Sequence, residues 1–269
     1  MLDLLPPLWG EELCAALFVA MAVVRPGRLR RALAWAAHYP RAGRSALRLA
    51  VEVCAYQGRF RAKHALLGMS TPADLLPRVR LVGQEHLRRA GGALLLGFHV
   101  GPPTVSEGIC LAGHPVRTVQ GIRHSRAWSS RAWAPMRAMA ENFPLSDASP
   151  ALGAVLYRAR WRLLNGDTIY LTADGGRGRP AFSVLVPGAP PLVIQSGWLV
   201  LRRDCAVPVL PVVAHMEDGI QVITIHPPLP NVHPDHQLDI AACRDVISLL
   251  LANFARQFPE QCGRLLFPD

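Results

Sequence analysis

From residue 79 onward, short apolar runs alternate with longer stretches whose apolar residues recur at helical spacing. Ala93-Leu-Leu-Leu-Gly-Phe98 is a continuous apolar run behind Gly91-Gly92, the pattern of a strand buried on both faces. Leu81-Val82-Gly83 precedes a short helix. Val116–Gln120, Thr168–Thr172, Ser183–Val186, Val207–Val213 and Gln221–Ile225 read as further strands. The spans 103–113, 126–142, 150–165, 192–203 and 238–257 read as helices between them. Such alternation predicts an α/β fold, with a central, mostly parallel or mixed sheet flanked by helices. Gln221–Ile225 alternates polar with apolar, as an antiparallel edge strand does.

Before residue 79 the texture is different. Residues 11–66 read as helices with basic faces: Arg25, Arg28, Arg30 and Arg31, then Arg41, Arg44 and Arg48, then Arg59, Arg61 and Lys63. Leu13–Val24 is uncharged and mostly apolar, flanked by Glu11 and Glu12 before it and Arg25 after it. It is too short for a membrane span, which needs ~20 residues. Two readings fit it, a helix buried in the protein and an interfacial helix lying among lipid headgroups. The basic residues beside it read as a membrane-surface segment or as a solvated face. The simplest division is a helical, membrane-associated region over residues 1–78 packed on one α/β core over residues 79–269. Residues 226–237, rich in Pro and His, read as a loop, and Met1-Leu-Asp-Leu lacks the basic start of a cleaved signal peptide.

Composition narrows the partners. A chain of 269 residues that is 51% hydrophobic, with mean hydropathy +0.20, has material for a large core and some apolar surface besides. A net charge of +10 and a pI near 10.2 call for an anionic partner, either nucleic acid or anionic lipid. Lys63 is the sole lysine, so the positive charge is almost all arginine, which binds phosphate bidentately; a GC-rich genome gives the same bias. The six cysteines form no C-x-x-C pair and sit in apolar surroundings, the usage of a reducing compartment, and no zinc site is expected. His226, His233 and His236 have only Asp235 and Asp239 nearby, too little acid for a metal site. Trp128 and Trp133 stand among arginines, but no nucleic-acid-binding motif accompanies them. There is no G-x-S-x-G, no Walker A and no complete G-x-G-x-x-G.

The candidate chemistry centres on Gly97-Phe98-His99-Val100-Gly101-Pro102-Pro103-Thr104. A buried strand ends at His99, and Pro102-Pro103 suits the start of a helix. His99 is therefore placed at the carboxyl end of a strand, where open α/β sheets bind ligands. The segment resembles the lysophospholipid acyltransferase superfamily, and more narrowly the bacterial lipid A biosynthesis (lauroyl/myristoyl) acyltransferase family. In that family a buried strand delivers a His, and an acid follows after four intervening residues. Here that position is Thr104, a departure from the pattern. A carboxylate on the second ring nitrogen of a catalytic His fixes its tautomer and stabilises the imidazolium. Thr104 can orient the ring but carries no charge. Glu107, one helical turn beyond, is the candidate replacement.

Further blocks follow in the family's order. Gly121-Ile122-Arg123 matches the arginine implicated in holding the acceptor, with Arg126 a less well aligned neighbour. Gly166-Asp167 through Asp174-Gly175-Gly176-Arg177-Gly178-Arg179 resembles the third block, a strand ending in an acid before a glycine-rich stretch. There Asp174 would orient Arg123 or the acceptor, Gly175 and Gly176 would let the backbone approach a ligand, and Arg177 and Arg179 would meet phosphate. Ile194–Gly197 and Ala206–Val213 resemble the fourth block, and Pro259-Glu260-Gln261 the closing signature.

The resemblance implies a glycerolipid acyltransferase-like fold with a membrane-associating N-terminal region. It implies transfer of a fatty acyl chain from an acyl carrier protein or coenzyme A thioester to the hydroxyl of a lipid, with a lipid A precursor-like glycolipid as acceptor. No metal or other cofactor enters. A peripheral place on the cytoplasmic face of the inner membrane follows, with an anionic membrane surface as partner and no nucleic acid. Two alternatives stand beside it: a lysophospholipid or amino-lipid acceptor, and, because of Thr104, a non-catalytic lipid-binding accessory protein.

Overall fold

The computed structural model describes residues 7–40, 43–66, 78–90, 92–121, 142–145, 150–175 and 178–267. Three helices come first: α1 (Pro7–Val24), α2 (Pro26–His38) and α3 (Ala46–Leu66). The core then runs β1 (Val79–Val82), α4 (Gln84–Ala90), β2 (Leu94–Gly97), α5 (Val105–Leu111), β3 (Arg117–Gly121), β4 (Asn142–Leu145), α6 (Pro150–Leu164) and β5 (Ile169–Thr172). After it come β6 (Pro180–Val184), β7 (Leu192–Gln195), α7 (Gly197–Cys205), β8 (Val209–Glu217), β9 (Ile220–Ile225) and α8 (His236–Gln257). A 3-10 turn (Pro259–Gln261) and α9 (Gly263–Leu266) follow.

Seven strands form one mixed sheet in the order β1-β9-β8-β2-β5-β3-β4, and β6 and β7 form a separate antiparallel pair. β8, β2, β5, β3 and β4 run parallel, while β9 turns back against β8 and β1 pairs parallel with β9. The expectation of a mixed α/β sheet flanked by helices therefore holds. β2 is the centre because all four of its residues are buried and apolar or glycine, which both faces of an internal strand require.

Its alternation feeds two cores. Leu94 and Leu96 join Trp35 of α2, Val155 and Ala159 of α6, Trp198 and Leu201 of α7, and Ile247 and Leu251 of α8 on one face. Ala93 and Leu95 join Val105 and Ile109 of α5 and Ile223 of β9 on the other. Fully burying a large apolar side chain such as these stabilises by about 1.5–3 kcal/mol, so the layers lock strand order as well as stability.

The N-terminal helices pack onto this core. Trp35, fully buried, donates its indole N–H to the carbonyl of Pro259 at 3.0 Å, and Tyr39 donates to the carbonyl of Pro187 at 2.9 Å.

Three local expectations are corrected. Residues 192–203 are not one helix: Leu192–Gln195 is β7, paired with β6, and the helix starts only at Gly197. The β-branched Val193 and Ile194 suit a ladder better than a helix. Gln221–Ile225 is antiparallel as expected but is not the edge, since β1 covers it. Asn142, the last residue of the expected helix 126–142, opens β4; residues 126–141 lie outside the described residues. β4 is four residues long and contains Pro144, which an edge strand tolerates, so it left little sequence signal.

Candidate active site

β2 and β5 lie side by side in parallel, with Gly97 opposite Thr172. Two residues further along each chain stand His99 and Asp174. The His99 ring nitrogen Nδ1 lies 2.9 Å from Asp174 Oδ1, and the His99 backbone N–H donates to the same carboxylate at 2.9 and 3.2 Å. The connections of the two strands lead to opposite faces, through α5 on one and α7 on the other, so the pair stands at the carboxyl ends of central strands, where open α/β sheets bind ligands.

The pair is asymmetric in exposure. The Asp174 side chain is 1% exposed and the His99 side chain 28%. Burial alone would push the Asp174 carboxyl up; the His99 charge and the ring and backbone hydrogen bonds outweigh it and hold the carboxyl below its ordinary value. An ionised Asp174 can only accept at this contact, so it favours the tautomer in which Nδ1–H donates to it and Nε2 carries the free lone pair.

The contact to the His99 ring expected of Thr104 or Glu107 is made by Asp174. Thr104 precedes α5 and donates its hydroxyl to Gln221 Oε1 at 2.7 Å. Glu107 is buried and accepts from Ser106 Oγ at 2.9 Å. The helix begins at Val105, not at Pro103, so Thr104 stands just before it and Glu107 in its first turn.

The loop after His99 is held from below. Gly101 has φ +67°, and a Cβ there would sit 1.7 Å from the Ala214 carbonyl oxygen, so only glycine fits. Its N–H donates to the carbonyl of Gln261 at 3.1 Å. The Gln261 side chain in turn donates to the carbonyl of Met216 and accepts from its N–H, both at 2.8 Å. The closing Pro-Glu-Gln segment thus props the histidine loop against β8, a role its sequence alone did not disclose.

Among the other expected residues, Gly175 directly follows Asp174. A Cβ there would meet only ordinary contact with Thr172 Oγ1 at 3.4 Å, so packing does not demand glycine. Arg179 is exposed, and its carbonyl accepts from the Ser196 N–H at 2.8 Å. Arg123, Arg126, Gly176, Arg177, Trp128 and Trp133 lie outside the described residues. Among the described residues no three His, Cys, Asp or Glu side chains gather into a metal-binding set. A cleft of about 200 Å³ is lined by Arg88, His114, Arg117 and Asp167, at the amino ends of β3 and β5, away from His99.

No family model matches the chain, and no curated protein matches it. Among solved structures, the 1-acyl-sn-glycerophosphate (LPA) acyltransferase PlsC from Thermotoga maritima is similar, with a TM-score of 0.39 and 15% identity over 74% of this chain and 81% of that one.

Proposed function

We propose that the protein is an acyltransferase that moves a fatty acyl chain from an acyl carrier protein or coenzyme A thioester to the hydroxyl of a lipid, with a lipid A precursor-like glycolipid as the acceptor. The observation that carries this reading is the His99–Asp174 pair: a partly open imidazole, tied through Nδ1 to a buried carboxylate. His99 Nε2 takes the proton of the acceptor hydroxyl as its oxygen attacks the thioester carbonyl carbon. The new C–O bond forms, the C–S bond breaks, and the imidazolium returns the proton to the departing thiolate. Asp174 stays ionised and stabilises the imidazolium between the two transfers. The motif resemblance supplies the reaction type, with Arg123, Arg177 and Arg179 as acceptor- and phosphate-binding residues. The non-catalytic reading drew on the missing charge at Thr104; the Asp174 carboxylate, two residues past β5 and at the ring, favours the enzyme reading instead.

The membrane reading draws support from α1. Its exposed residues are Glu12, which pairs with Arg59, and then Leu13, Ala16, Leu17, Ala20, Val23 and Val24, with Leu17 53%, Val23 66% and Val24 80% exposed. Its inward face uses small residues, and at Gly58 of α3 a Cβ would lie 2.4 Å from the Cys14 carbonyl oxygen, so the two backbones touch. A helix whose solvent side is apolar from Leu13 onward, next to exposed Arg25, Arg30 and Arg31, suits the headgroup region of an anionic leaflet. No described helix is long and apolar enough to cross a membrane.

The test is mass spectrometry of total lipids from cells with the protein, without it, and with His99→Ala. A lipid gaining one acyl chain only with the parent protein is expected, and its mass names acceptor and chain length. Identical lipid profiles in all three would overturn the enzyme reading. Leu17→Glu is expected to weaken flotation with phosphatidylglycerol vesicles, and unchanged flotation would overturn the role of α1.

A further inference from the structure

α6 turns an aromatic, nearly uncharged face to solvent. Tyr157, Trp161 and Leu164 recur at the spacing of one helical stripe, and each is more than half exposed. Gly153, Ala154 and Arg158 are the other exposed positions among the described residues of the helix, so Arg158 is the single charge on that face. The inner side packs into the core through Val155, Ala159 and Leu163. Core packing therefore accounts for one side of α6 and leaves the outer stripe without a structural purpose. A lone exposed apolar residue is ordinary, but a contiguous stripe marks a contact surface.

The other arginines of the helix border the stripe and do not interrupt it. Arg160 reaches Asp204 of α7 at 3.6 Å. Arg162 reaches Asp167 at 3.7 Å, and its guanidinium lies 4.9 Å from the ring centre of Trp161. The helix carries three arginines and no Asp or Glu in its 15 residues. A second copy seated on this face by two-fold symmetry would bring arginine to arginine, with no acid on either helix to meet it.

An anionic bilayer matches each feature. Trp and Tyr rings settle at the headgroup level, a helix with one apolar face lies in that plane, and arginine is drawn to lipid phosphate. Val155 and Ala159 of α6 share one core with Ala22 of α1 and Trp35 of α2, so α6 and the N-terminal helices belong to the layer on the same side of the sheet.

We propose that the Tyr157, Trp161 and Leu164 face of α6 is a membrane-contact surface on the α/β core itself, which seats the protein on an anionic bilayer with the two aromatic rings at headgroup depth and Arg158 on lipid phosphate. It goes beyond the acyl-transfer reading, since binding through α6 needs neither turnover nor the contact made by α1.

The test measures cosedimentation of the full-length parent, Tyr157→Ser/Trp161→Ser, Arg158→Gln and Leu17→Glu with vesicles of phosphatidylglycerol and of phosphatidylcholine. The parent is expected to prefer phosphatidylglycerol. The double variant is expected to lose roughly tenfold or more in partitioning, the effect of withdrawing one large apolar side chain from burial. Arg158→Gln is expected to lose about fivefold at low salt and little at high salt, where surface charge is screened. Vesicles of brominated phosphatidylglycerol are expected to quench the tryptophan fluorescence of the parent more than that of Trp161→Phe. This variant keeps an aromatic ring, so the quenching comparison stands even if the double variant melts early. A parent that stays in the supernatant, a double variant that binds as the parent does, or quenching unmoved by Trp161→Phe overturns the surface. A dimeric parent that becomes monomeric in the double variant, with vesicle binding unmoved, gives the face to a second copy and also overturns it. Loss in the double variant but not in Leu17→Glu keeps α6 and drops α1. Vesicle binding through α6 with no acyl transfer by the parent keeps the surface and loses the reaction.

Discussion

Thr104 and Gln221 hold each other through both ends. The Thr104 hydroxyl donates to Gln221 Oε1 at 2.7 Å, and Gln221 Nε2 donates back to the Thr104 carbonyl at 3.0 Å. Both residues are buried, and the pair joins the start of α5 to β9. The Thr104 hydroxyl is thus occupied with fixing where the helix begins. Thr104→Val strands a buried amide oxygen and is expected to cost about 1–3 kcal/mol of unfolding free energy, while turnover per folded molecule stays near that of the parent. Urea unfolding and an acyl-transfer assay on the same preparation check both halves; a large loss of turnover without loss of stability would contradict this assignment.

Asp174→Asn keeps the size of the side chain and an acceptor for the His99 backbone N–H but removes the charge behind the imidazole. Acyl transfer is expected to fall by about 10²–10⁴-fold with the circular dichroism spectrum unchanged. Parent-like turnover in this variant would transfer the orienting role elsewhere and remove the support on which the proposed mechanism stands.

The same carboxyl links stability to acid. Its folded pKa lies below its ordinary value, so its ionised form stabilises the native state at pH above the unfolded value, about 4. That contribution disappears as the pH falls through the folded value. The gap in unfolding free energy between the parent and Asp174→Asn is expected to be widest near neutrality and to shrink below about pH 4. A gap that stays constant from pH 7 into the acid range would show that Asp174 is not held ionised by its surroundings.

Gly101→Ala puts a methyl into the Ala214 carbonyl at a backbone angle that favours glycine. The loop can accommodate it only by moving, which breaks the bond from Gly101 N–H to Gln261. A loss above about 2 kcal/mol is expected, together with a loss of turnover, because the displaced loop carries His99. Thermal melting indistinguishable from that of the parent would sink this account.

The layered core was readable because buried parallel strands announce themselves as apolar runs, and β2 does so without interruption. The position of His99 at a strand end followed from the same run. Its partner was not readable, because Asp174 lies 75 residues away and meets it only through the register of β2 on β5. Helical spacing from Thr104 pointed to Glu107, a local inference that a non-local pairing overrode. β7 was misread for a related reason: Leu192–Gln195 is a short apolar run that becomes a strand only because β6 is there to pair with it. The prop under the histidine loop was visible as a Pro-Glu-Gln signature, but what Gln261 grips could be known only once β8 had been placed beside it.

A dyad assembled laterally frees each half to drift along its own segment. Neighbouring strand tips stand about 4.8 Å apart, so an acid at the end of either flanking strand can serve the same ring without disturbing the scaffold. Proteins built this way would look defective to any signature that demands both groups within one short window. A hydroxyl in the fifth place after such a histidine is then a cue to inspect the tip of the adjacent strand before declaring the chemistry lost.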